Sequence, residues 1–135
     1  MKTTRLLSMA VFACIMVFPI LSGVALAHHS AAHYGKVEKT FQGTVVEFRW
    51  RNPHVFIIWD VKDSSGKATR WIGELASVTS SIADGMNKDS LKPGDEVLIS
   101  AFPATAGTPE SLIRRIAKPD GTVLIQRANA FFVER

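Results

Sequence analysis

From Thr40 onward, apolar and polar positions alternate in short runs, each closed by turn-forming residues, and this rhythm predicts strands. Thr40 to Trp50 sets Phe41, Gly43, Val45 and Glu47 on one side and Thr44, Val46 and Phe48 on the other. Asn52-Pro53 interrupts it, because proline cannot donate to a ladder and its predecessor is pushed towards extended geometry. His54 to Lys62 resumes with an almost unbroken apolar run, as in a strand covered on both faces or curled into a barrel. Asp63-Ser64-Ser65-Gly66 turns the chain, and Ala68 to Leu75 reads as a third strand.

Between Ser77 and Met86 the period changes: Val78, Ile82 and Met86 recur every four residues, the spacing of one helical stripe, in a segment of poor helix propensity that suits one or two turns. Leu91-Lys92-Pro93-Gly94-Asp95 is a turn signal, followed by strands over Glu96 to Phe102 and Ser111 to Ala117. Pro119-Asp120-Gly121 reverses the chain into Thr122 to Gln126, and the tail from Ala128 to Arg135 gives no clear period. This order predicts an all-β protein: a small five- to six-stranded barrel of the oligonucleotide/oligosaccharide-binding (OB) type, with one short helix between strands three and four.

The start of the chain follows another pattern. Lys2 and Arg5 precede an apolar run from Leu6 to Val24, and Ala25-Leu26-Ala27 places small residues where a signal peptidase reads. The expectation is a cleavable leader over 1–27, a flexible polar arm over 28–39 and a barrel domain over 40–135, exported to the periplasm or beyond and left with no stable membrane anchor. Cleavage would remove Cys14, the single cysteine, so the mature domain would rely on its apolar core alone. It would also remove two of the 16 basic residues, set against 12 acidic ones, and with them half of the formal net charge of +4. So balanced a charge gives no argument for nucleic acid as partner.

Several blocks resemble a family of small exported bacterial proteins known as a domain of unknown function. They are Ala27-His28-His29-Ser30, Trp50-Arg51-Asn52-Pro53-His54, Trp71 with Glu74, Leu91-Lys92-Pro93-Gly94-Asp95 and Pro119-Asp120-Gly121. The resemblance implies export and a β-fold and brings no catalytic residues with it. The chain departs from the family pattern after Glu74, where Ala83-Asp84-Gly85-Met86 stands in place of a further Gly-Trp.

The candidate chemistry lies in the histidines. After cleavage His28 would offer an imidazole and a free α-amine, ligands that suit tetragonal copper(II), with His29, His33 and His54 as further nitrogen donors. In ligand set only, this resembles the N-terminal histidine brace of copper-dependent polysaccharide monooxygenases. The alternatives are a polar arm that binds nothing and, for His54, a structural ring bonded within the Asn-Pro turn. Trp50, Asn52, Trp71 and Glu74 are the candidate ligand-binding residues at the strand ends, although at least two of Trp50, Trp59 and Trp71 are expected in the core. Glu74, opposite in face to Trp71, is expected to be solvated. The functional expectation is an exported binding or accessory module, more a binder than an enzyme, taking a metal ion or small ligand and copper as its cofactor. A glycan- or apolar-ligand-binding barrel using the tryptophans and a copper redox enzyme are the alternatives.

Overall fold

The computed structural model describes residues 33–127. Six strands and one short helix follow the predicted order: β1 (Lys39–Arg49), β2 (Phe56–Lys62), β3 (Ala68–Glu74), α1 (Val78–Ala83), β4 (Glu96–Pro103), β5 (Glu110–Ala117) and β6 (Val123–Gln126). The strands pair in the order β3-β2-β1-β4-β5-β6, and a parallel β3–β5 pairing closes the first five into a barrel. Read round the ring, the order is β1-β2-β3-β5-β4, the Greek-key circuit of an OB-type barrel, with β6 added beyond β5.

Turn chemistry sets the corners. Asp63 accepts from the backbone of Ser65 and Lys67 between β2 and β3. Gly94 carries φ of 94° after Pro93, and Lys92 O accepts from Asp95 N, which is the turn geometry proline followed by glycine favours. Before β6, Gly121 closes the turn over Pro119-Asp120 by donating its N–H to Lys118 O, with φ of 89°.

The barrel interior is filled by Val45, Ile57, Trp59, Val97, Ile99, Ile113 and Ile116, all essentially inaccessible. Trp59 is wholly buried, and the rings of Phe41 and Trp71 stand 6.4 and 6.1 Å from it. One sequence expectation needs correction here. Val46 is an extra residue in β1: Val45 faces Trp59 but Glu47 faces Ile58, the next residue back along β2. This bulge reverses the alternation, so Phe48 rather than Glu47 joins Val45 against the core, and Glu47 turns out to pair with Arg49 at 2.6 Å.

The short helix forms between β3 and β4 as expected, although its four-residue stripe is only partly buried. Ser77 caps α1 by accepting from Ser80 N, and the helix stops at Ala83 after six residues. Val78 and, one turn on, Ser81 face the barrel, while Ile82 is exposed. Met86 is buried from beyond the helix, past Gly85 at φ of 93°.

Candidate functional site

The chain between β1 and β2, the end of β3 and the connection from β4 to β5 meet at one mouth of the barrel. In OB-type barrels the surface of the second and third strands, flanked by two such loops, is where ligands bind. Trp71 and Gly73 turn inwards here: a Cβ on Gly73 would meet Ile113 and Trp59. Glu74 therefore faces outwards, as alternation predicts. It is nonetheless 7% exposed, buried rather than solvated.

What covers it comes from the arm. His33 O accepts from Thr105 N at 2.9 Å, Tyr34 bridges to Ala104, and Gly35 N donates to Pro103 O at 2.8 Å. Of the arm expected over residues 28–39, the described part, from His33, bonds to the end of β4 and to the β4–β5 connection, which leave backbone groups for it to pair with. So held, the Tyr34 hydroxyl donates to Glu74 Oε2 at 2.8 Å. The other oxygen, Oε1, accepts from His54 Nδ1. His54 lies two residues before Phe56, which faces Glu74 across β2 and β3, and Val55 and Leu75 extend that pairing through backbone bonds. A second pair lies alongside, His33 Nε2 to Glu110 Oε2 at 3.3 Å, with Thr108 Oγ1 donating to the same oxygen at 2.8 Å.

The electrostatics follow from burial. The Tyr34 hydroxyl is pushed far above its ordinary range, first by desolvation, then by its hydrogen bond to Glu74 and by the charges of Glu74 and Glu110. It therefore stays a proton donor through neutral and mildly alkaline conditions. Further along the outer face of β2 and β3, Arg70 grips Asp60 with two bonds of 2.9 and 3.0 Å and holds its carboxyl below the usual range.

The predicted site residues separate into groups. His33, His54 and Glu74 gather at the mouth, while His28 and His29 lie outside the described residues. Asn52 serves the fold, its Oδ1 accepting from Val78 N at 3.2 Å at the start of α1. Trp50 packs against the core with its ring 5.6 Å from Phe48, and Trp71 sits 4.5 Å from Phe41. Tyr34, Thr108 and Glu110 are additions that sequence reasoning missed; the one available signal was a lone aromatic hydroxyl in an otherwise small, polar arm. Among the described residues, no group of three or more His, Cys, Asp or Glu side chains is arranged to hold a metal ion, and no helix is long and apolar enough to cross a membrane.

A small closed Greek-key barrel with a polar mouth roofed by its N-terminal arm is thus the class of protein defined by fold and site. The profile of a family of unknown function, DUF6152, matches residues 17–113, and the chain belongs to that family. Comparisons with curated proteins and with solved structures gave no match.

Proposed function

We propose that the protein is exported to the periplasm or beyond, loses residues 1–27, and acts as a small binding or accessory module that takes one copper(II) ion at the barrel mouth. The ligands are the imidazole and α-amine of His28, the ring of His29 or His33, and His54. One observation carries this reading: Glu74 holds both Tyr34 and His54, so the arm is anchored beside the barrel histidine only six positions after His28. Six residues span at most about 20 Å when extended, enough for His28 to turn back to His54. An amine and imidazoles are the ligands that favour tetragonal copper(II), and since each must be deprotonated to bind, acid weakens the site. The reading that rests on tryptophan stacking has less behind it, because Trp59 and Trp71 are committed to each other and to Phe41.

The test is a copper titration followed by electron paramagnetic resonance on three forms: protein beginning at His28, verified by intact mass, the same protein extended by Gly-Ser, and His28→Ala. The first should give a nitrogen-rich tetragonal spectrum at one equivalent. The other two should bind more weakly with altered spectra, since one turns the amine into an amide and the other removes the ring. Equal binding by all three, or no such spectrum from any, would overturn the proposal.

A further inference from the structure

The end of β2 away from His54 carries a second concave surface. β1 pairs with β4 only up to Thr44 and with β2 only from Thr44 on, so Thr44 stands between Asp60 on β2 and Glu96 on β4. Before that point β1 and β2 part, and Gln42 and Lys62, on the same faces as Thr44 and Asp60, stand across an opening. The result is a cleft of about 250 Å3 lined by Gln42, Gly43, Thr44, Asp60, Lys62 and Glu96. Its charges are divided. Arg70 takes the Asp60 carboxylate with two bonds of 2.9 and 3.0 Å and neutralises it. Among the described residues, the side chains of Lys62 and Glu96 have no ion-pair partner, and those of Gln42 and Thr44 have no hydrogen-bond partner. One ammonium and one carboxylate therefore share a cleft without pairing with each other.

We propose that this cleft binds a small zwitterion, an amino acid or a dipeptide, with its ammonium on Glu96 and its carboxylate on Lys62. The strands that carry these two residues flank β1 and lie about 10 Å apart, so a direct ion pair would have to stretch both side chains over Thr44. A molecule charged at both ends spans that interval instead. Thr44 and Gln42, each able to donate and to accept, line the way between. A ligand with a single charge would satisfy one bank of the cleft and leave the ion on the other bank short of water and without a partner, which favours a zwitterion over a simple cation or anion. A sugar would bond to the same groups but would make no use of their opposite charges. The site shares no residue with the barrel mouth and stands whether or not copper binds there.

The test is a titration of isotope-labelled protein with alanine, alanyl-alanine, alaninamide, N-acetylalanine and glucose, followed through the backbone amide resonances. At least one of the two zwitterions should give saturable shifts centred on Gln42, Thr44, Lys62 and Glu96. Alaninamide keeps only the ammonium and N-acetylalanine only the carboxylate, and each should bind about tenfold more weakly, the loss expected when one hydrogen bond to a charged group is removed. Glu96→Gln should weaken the zwitterion about tenfold and leave N-acetylalanine unchanged, whereas Lys62→Met should weaken it equally and leave alaninamide unchanged. Both positions are exposed, so both variants should fold as wild type does. Tighter binding of alanine upholds the proposal with closely spaced charges, and tighter binding of alanyl-alanine upholds it with wider ones. No saturable shift from either zwitterion, single-charge relatives that bind as well, or glucose that binds more tightly than both overturns it.

Discussion

Tyr34 is the single tyrosine of the chain, so any phenolate signal belongs to it alone. Its folded-state pKa lies above the unfolded value near 10, mainly through burial and then through Glu74. The sign of the linkage follows: the stability tied to the protonated hydroxyl is complete below pH about 10 and is lost as pH rises towards the folded value, because the unfolded chain releases the proton first. Native protein should therefore show no phenolate absorbance around pH 10, and the band should appear together with unfolding at higher pH. Glu74→Gln removes the charge and part of the hydrogen bonding but leaves the burial, so phenolate should appear earlier without reaching the ordinary value. Phenolate formation near pH 10 in a still-folded protein would mean that Tyr34 does not rest on Glu74.

At the scale of elements, glycines mark where β1 and β3 press on the barrel interior. A Cβ on Gly43 would meet the Asp60 backbone carbonyl oxygen and stand 2.7 Å from Trp59 Cδ1; on Gly73 it would meet the end of the Ile113 side chain and stand 2.8 Å from Trp59 Cζ3. Overpacking of this kind costs about 1–3 kcal/mol, towards the upper end where the obstacle is backbone. Urea unfolding should therefore rank Gly43→Ala as the more damaging change and Gly73→Ala as the milder one, since an Ile113 rotamer can give way while the paired β2 backbone cannot. The reverse order would contradict the packing described here.

The strands and corners were readable because period-two patterning and turn residues are local. The bulge at Val46 was not: Thr40 to Trp50 alternates plausibly straight through it, and only pairing with β2 reveals the extra residue. The helix fell between these cases. Its existence followed from the four-residue spacing, but capping by Ser77 and termination at Ala83 left Ile82 outside the stripe that spacing drew.

On the scale of the whole molecule, the closed barrel brings residues from four segments to one mouth. His33, His54 and Glu74 were legible as residue types suited to binding, and alternation put Glu74 on the correct face. That it would be buried was not legible, because its cover is Tyr34, 40 positions earlier and held by the β4–β5 connection. The glycan alternative rests on Trp50 and Trp71, which are partly buried and packed against the core, a use of aromatic surface that a small domain needs.

The central claim is that the arm and His54 serve one ligand. It is tested most directly by counting imidazoles on bound copper(II), using pulsed electron paramagnetic resonance of processed protein and of His54→Ala. The site described here should lose one coordinated imidazole in His54→Ala while keeping the amine and His28. An unchanged imidazole count in His54→Ala would show that the arm binds copper by itself and that the barrel mouth has no part in it.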